Sequence, residues 1–327
     1  MIAPNMSYSS VAPSAESSHE SNGEIALITG ASRGLGAALA RVLAFEGWSV
    51  IGACRNPEQA ARAQASAFGS SDDARRAFSR IQYIELDLAS FDSVRFAAQH
   101  ILDTTGHIDL LVNNAGISRG LGASSADGFE LTMQTNFLSP FLLTNILCPC
   151  LLASSAPAVV CITSAVQSIS GWNAVFSRLG RDRATRPASN GVLGGLWYYA
   201  ASKFALSAFC LELASRNDGK RLSVAAVHPG VIDTGIMYGG AWYDRPIRRL
   251  LKPFFIDIDK AVSGIRSAVA LLESSARVKD EDPSNAVYFA SGTLSKFPKR
   301  LCDPEKRKVL WDLAAAQAGL DKNGAQF

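Results

Sequence analysis

Short apolar runs rich in β-formers alternate with longer stretches of helical period along this chain of 327 residues. That alternation is the pattern of a parallel sheet wrapped by helices. The runs predicted to be strands are Ile25 to Thr29, Ser49 to Ala53, Ile81 to Leu86, Leu110 to Asn113, Ala158 to Thr163, Leu222 to Val227 and Ala286 to Phe289. Between them, Leu35 to Phe45 and Phe91 to Thr104 carry apolar residues at three- and four-residue intervals, as helices with one buried face must. The expected fold is α/β: a single doubly wound parallel sheet with helices on both faces, beginning at residue 24 and running to 327. Two segments interrupt the alternation: 171–195 is rich in Gly, Arg and Ser, and 236–257 in aromatics and Arg. Both are expected to be loops or short helices added to the frame. No internal repeat is evident.

Composition narrows the class. Apolar residues make up 48% of the chain, ample for a core, and the formal net charge of +3 is scattered. With no nucleic-acid-binding signature, no nucleic-acid partner is expected. Six cysteines at 54, 148, 150, 161, 210 and 302 show no metal-ligand spacing, and several fall in apolar runs where a thiol acts as a small hydrophobe. No metal is expected, and a reducing, cytoplasmic setting fits. Residues 1–23 are rich in Ser, Ala and Pro, carry Glu16 and Glu20, and contain no Lys or Arg. They read as a disordered tail, since signal and transit peptides need basic residues. Pro140, Asn145 and Pro149 break up the best apolar run before it reaches the ~18 residues a bilayer span requires. A soluble or at most peripheral protein is expected.

The candidate chemistry begins where the first strand enters Gly30-Ala-Ser-Arg-Gly34-Leu-Gly36 and then a helix. Glycines let the backbone approach a pyrophosphate, and the helix N-terminus offers free N–H groups and a positive dipole end. Gly30, Ser32, Arg33, Gly34, Leu35 and Gly36 are therefore dinucleotide-binding candidates. An acidic residue at the end of the second strand would select a free ribose 2′-hydroxyl. The chain has Ala53-Cys54-Arg55-Asn56 instead. Arg55 together with Arg33 suits a 2′-phosphate, so NADP(H) is preferred over NAD(H). Further on, Tyr199 and Lys203 are one helical turn apart, so the ammonium can sit beside the phenol and favour its ionised form. Tyr198, five residues from Lys203, would point away from it.

Thr29-Gly30 to Gly36, Asn113-Asn114-Ala115-Gly116, Ser164, Tyr199 to Lys203 and Pro229-Gly230 follow one another in the order found in the short-chain dehydrogenase/reductase family. The chain after residue 23 resembles that family, whose fold is of Rossmann type. Ala53-Cys54-Arg55, Leu86-Asp87-Leu88 and Trp311 are similar to the retinol dehydrogenase and WW-domain oxidoreductase branch, in its catalytic part alone. The resemblance implies that Tyr199 is the proton donor and acceptor. It gives Lys203 two tasks, lowering that pKa and holding the nicotinamide ribose. Ser164 binds the substrate oxygen, and Asn136 fixes a relay water near the lysine. Asp87 and Leu88 would flank adenine, the run Asn113, Asn114, Ala115 and Gly116 the adenine ribose and central strand, and the run Pro229 to Thr234, with Gly230 in it, the nicotinamide amide. His228 is expected to be packed structurally rather than to ligate a metal.

One departure concerns spacing. Tyr199 follows Ser164 by 35 positions, where about a dozen is usual in the family, so an insertion of roughly twenty residues is implied. It would either line the substrate pocket or cover the helix face that relatives use to form dimers; monomer and homodimer both stay open. The aromatic and basic stretch after Met237, with Arg245, Arg248, Arg249, Lys252 and Lys260, is the substrate loop by analogy. Its walls favour a bulky hydrophobic alcohol or carbonyl of retinoid, steroid or xenobiotic type. Its basic side suits an anionic membrane surface, or simply covers the core. Two rival functions are a cofactor-sensing protein without turnover and a reductase of a ring double bond.

Overall fold

All seven expected strands form, because each is a short run of β-branched and aliphatic residues ended by a turn or a helix start. The computed structural model describes residues 23–118, 123–179, 192–217, 222–230, 256–274 and 286–320. The strands are β1 (Ile25–Thr29), β2 (Ser49–Cys54), β3 (Ile81–Glu85), β4 (Leu110–Asn113), β5 (Ala158–Ile162), β6 (Ser223–His228), β7 (Ala286–Ala290) and a short β8 (Thr293–Ser295). Their order in the single sheet is β3-β2-β1-β4-β5-β6-β7-β8. Every pairing from β3 to β7 is parallel, and β8 alone runs antiparallel to β7. This is the expected doubly wound sheet, with β8 unforeseen. A three-residue strand at the edge carries too little periodicity to be read from sequence.

The central strands are covered on both faces, which is why they read as continuous apolar runs rather than alternating ones. β4 and β5 are buried along their whole length. One face is packed by α1 (Gly34–Phe45), with α10 (Ile258–Glu273) beside it. The other face carries α4 (Phe91–Thr104), α6 (Ser139–Ile146), the long α9 (Val192–Arg216) and α11 (Pro304–Gln317). There Trp311 seals α11 against its neighbours, its ring 4.9 Å from that of Phe141 and 5.8 Å from that of Phe209. Two helices not foreseen, α2 (Pro57–Phe68) and α3 (Asp72–Ser79), lie between β2 and β3. α2 fully buries only Ala60, Gln64 and Phe68, and the eight-residue α3 only Ala74 and Ala77, too few apolar positions to mark a helix by periodicity.

The sheet reverses direction at β1: the chain winds outward through β2 and β3, then returns to place β4 on β1's other side. Such a reversal is where doubly wound sheets form their ligand crevice, outside the carboxyl ends of the strands. The segment 171–195 is not simply a loop. It begins with a short helix, α8 (Trp172–Phe176), and its end is the first turn of α9. Trp172 donates from Nε1 to the Arg300 carbonyl at 2.7 Å, and Arg300 donates back to the Ser170 carbonyl at 2.7 Å. The start of the insertion is thus fastened to the C-terminal part of the chain. Residues 180–191 of the insertion, most of 236–257 and residues 1–22 of the expected tail 1–23 lie outside the described residues.

Candidate active site

Gly30 and Gly34 adopt φ values of 70° and 59°, open to glycine at no steric cost. A Cβ on Gly30 would lie 2.9 Å from the Ala115 Cα, and one on Gly36 would collide with the Gly30 carbonyl oxygen and with Asn114 Nδ2. The glycines are therefore needed to bring two backbones together as well as to leave room for a ligand. Hydrogen bonds hold the junction. Thr29 Oγ1 accepts from the backbone N–H groups of Asn114 at 3.1 Å and Ala115 at 3.0 Å, and the Asn114 side chain donates to the Thr29 carbonyl at 2.7 Å. Sequence reasoning placed Asn114 in the run beside the adenine ribose but did not name Thr29 as a site residue. Asn113 faces inward: fully buried, it donates to Thr144 Oγ1 at 3.1 Å.

Side-chain capping differs among the helix starts. Asn56, Ser71, Ser90, Asp257 and Asp303 each cap their helix with a side-chain oxygen, whereas Arg33 supplies no such cap to α1. An anion can take that place. Ser32 is half-buried, Leu35 and Gly36 are buried, and Gly34 is half-buried. Arg33 and Arg55, the latter directly after β2, are exposed and have no ion-pair partner among the described residues. The cradle and the open helix end fit the pyrophosphate of a dinucleotide. Asp87, after β3, turns its carboxylate to the Ala89 N–H at 3.0 Å, and Leu88 is buried in the core with its carbonyl accepting from Ser139 Oγ at 2.7 Å. Gly52, also missed, is required because a Cβ there would meet the Tyr83 ring at 2.8 Å.

Across the crevice the site is built from buried side chains. Tyr199 and Lys203 lie one turn apart on α9, and Lys203, only 3% exposed, has its Nζ 5.8 Å from the centroid of the Tyr199 ring. Lys203 Nζ donates to the Ile162 carbonyl at the end of β5, at 2.7 Å. Ser164, two residues further, starts a 3-10 turn (Ala165–Ile169) and hydrogen-bonds Tyr199. Gly116 approaches from β4's side: a Cβ on it would sit 3.3 Å from Lys203 Nζ and 3.5 Å from Asn136 Oδ1. Asn136 occupies a one-turn π-helix, Gln134–Leu138, of the sort that marks functional positions. Its carboxamide is spent on fixed partners, accepting from Ile117 N–H at 2.8 Å and donating to the Ile117 carbonyl at 2.8 Å and to Ser202 Oγ at 2.9 Å. Ser202 was not foreseen either; only packing of α9 on the π-turn reveals it.

The electrostatics correct one expectation. Burial raises the Tyr199 pKa above 10.0, the Ser164 hydrogen bond is what pulls it down, and Lys203 makes no resolved contribution. The ammonium is directed at the Ile162 carbonyl instead of at the phenolic oxygen, so desolvation outweighs charge. Lys203 itself is pushed down to about 8 by burial. Tyr198 is buried elsewhere, under the Arg178 guanidinium at 5.1 Å from its ring centre, as its position on the helix requires. His228 is buried at the end of β6, its Nδ1 accepting from Gly230 N–H at 3.3 Å. Among the described residues no cluster of three potential metal ligands occurs. Pro229 is buried, and Gly230, at φ 97°, leaves no room for a Cβ beside the Ile256 side chain. Gly230 and Ile256 thus meet at the carboxyl end of β6; residues 231–255, Thr234 among them, lie outside the described residues.

Such a crevice, with its glycine cradle on one wall and ionisable side chains on the other, has the architecture of a nicotinamide-dependent oxidoreductase. The short chain dehydrogenase family profile matches residues 24–175. The human protein named dehydrogenase/reductase SDR family member 13 is 31% identical over 91% of this chain and 74% of its own length. Human retinol dehydrogenase 14 is 31% identical over 92% of this chain and 88% of its own. A solved short chain dehydrogenase from Escherichia coli CFT073, complexed with NADPH, superposes with a TM-score of 0.57 at 25% identity, covering 82% of this chain and 96% of that one. The chain belongs to the short-chain dehydrogenase/reductase family, in its retinol dehydrogenase-like branch, and is an oxidoreductase of alcohols and carbonyls. No helix among the described residues is long and apolar enough to cross a membrane.

Proposed function

We propose that this protein uses NADP(H) to interconvert an alcohol and a carbonyl on a bulky hydrophobic substrate, with Tyr199 as the general acid and base. The observation that carries the reading is the convergence of the buried Tyr199 and Lys203 with the half-buried Ser164 at the carboxyl end of β5, with Gly116 of the β4 side approaching the lysine. Bound in that crevice, the nicotinamide supplies or accepts the hydride. Burial keeps the Tyr199 phenol protonated at neutral pH, which suits it to hand its proton to a carbonyl oxygen that gains negative charge. Ser164 donates a second hydrogen bond to that oxygen and so favours the charged state further. Lys203, its ammonium bonded to the Ile162 carbonyl, would hold the nicotinamide ribose, and Asn136 fixes the Ile117 backbone and Ser202 beside it. In the oxidation direction the same proton travels back.

Arg33 and Arg55 support the choice of NADP(H), as does the NADPH held by the Escherichia coli relative. The names of the retinol dehydrogenase relatives support a lipophilic substrate, and so do the aromatic residues of 236–257, the substrate loop in this reading. The test is NADPH oxidation with all-trans-retinal, nonanal and a panel of lipophilic ketones. Tyr199→Phe is expected to lower kcat by about a thousandfold while NADPH binding stays within about threefold. Wild-type protein that binds NADPH yet reduces nothing in the panel would favour a cofactor-sensing role.

A further inference from the structure

Ser164 must meet Tyr199 across two separate pieces of chain, and it sits on a 3-10 turn of five residues. Such a turn has poor hydrogen-bond geometry and little rigidity of its own. Within it, Ser164 Oγ accepts only a long 3.4 Å bond from Val166 N–H, while its carbonyl accepts from Gln167 N–H at 3.1 Å. Gln167 is 1% exposed, and both ends of its carboxamide are used: Oε1 accepts from Ser207 Oγ, and Nε2 donates to the Tyr288 hydroxyl at 3.1 Å. Ser207 follows Tyr199 and Lys203 at four-residue intervals, so all three share one stripe of α9. Tyr288 stands on β7, with its ring tilted at 34° against that of Phe297, 5.1 Å between centroids. One side chain therefore joins the turn after β5, the helix of the site and the neighbouring strand.

We propose that Gln167 is a positioning residue that keeps Ser164 in register with Tyr199 and Lys203. Shifting the turn would strip a buried amide of partners, which makes other placements of Ser164 costly. The inference rests on the catalytic reading of Tyr199 and deepens it. The amide never touches the reacting atoms; it acts through the turn.

The test compares Gln167→Leu, Tyr288→Phe and the double variant, with Tyr199→Phe as reference. Two readouts are used: hydrogen exchange of residues 164–170, and kcat, KM and pH profile with all-trans-retinal and nonanal. Gln167→Leu is expected to speed exchange in 164–170 and lower kcat about tenfold with NADPH affinity unchanged. The alkaline limb of the kcat profile should move to higher pH, because the Ser164 bond that lowers the phenol's pKa is weakened. Tyr288→Phe, the milder change, should cost about threefold in kcat, and the double variant no more than Gln167→Leu alone. Unchanged exchange in 164–170 overturns the proposal outright. So does faster exchange with unaltered kcat and pH profile while Tyr199→Phe is inactive. An active Tyr199→Phe would instead overturn the catalytic reading, with the exchange data still deciding whether Gln167 anchors the turn.

Discussion

The two walls of the crevice are made of different materials. The β1–β4 side is backbone: Gly30, Gly34 and Gly36 let main chains touch, and Thr29 and Asn114 bind them through main-chain groups. The β5–α9 side is side chain: Asn136, Ser164, Tyr199, Lys203 and Gln167, all buried or half-buried and each held by another residue. A backbone wall presents fixed dipoles whatever the pH, so it suits a ligand whose charge is constant. A side-chain wall can hold and release a proton, but each buried polar group must be partnered or it destabilises the fold. The contrast means that steric damage should act on the first wall and lost hydrogen bonds or altered pH on the second.

The largest separation is expected from Gly36→Val. Its branched side chain would collide with the Gly30 carbonyl and Asn114, weakening NADPH binding by about a hundredfold or more in a fluorescence titration. Near-normal affinity would mean that the cradle is softer than its contacts imply. The second effect is in pH. Below about pH 8, folded and unfolded chains both carry the Lys203 proton; between there and 10.5 only the unfolded chain does, so this residue makes stability rise with pH. Denaturation of wild type against Lys203→Met should reveal a stability difference that shifts in favour of wild type by about 3 kcal/mol across that window, and a difference that does not change with pH would place the lysine in a wetter site.

Asn136→Ala comes next. It removes the bonds to both Ile117 backbone groups and to Ser202, for an expected loss of about 2 kcal/mol in urea unfolding, and it should reduce kcat more than it alters NADPH binding. Equal effects on both would join the two walls into one unit. The smallest effect is at the surface: Arg55→Asp should shift the preference for NADPH over NADH by about tenfold, visible as a change in the ratio of their dissociation constants. Equal losses for both nucleotides would remove the argument for a 2′-phosphate.

Much of the first wall was legible in the chain because glycine after a strand has a strong local meaning. All seven long strands were likewise legible, since burial on both faces writes itself as unbroken apolar runs. The second wall was legible only as residue types in order. Tyr199 and Lys203 are a local pair on a helix, but Ser202, Gln167, Ser207 and Tyr288 become partners through contacts spanning up to 121 positions of chain. The side of the backbone to which each of Asn113 and Asn114 turns was likewise decided by the pairing of β4, not by the Asn-Asn doublet.

The amino-acid sequence by itself determined the strand and helix alternation, the glycine turn and the residues able to carry a proton, because these depend on local conformation and periodicity. Only the tertiary structure decided the electrostatic state of those groups. Lys203 is directed at the Ile162 carbonyl, and Tyr199 is buried deeply enough that desolvation raises its pKa against the expected direction. Burial and the direction of a side chain are properties of the assembled fold, and a charge separated from its partner by a few ångströms of protein cannot be read from their spacing along a helix.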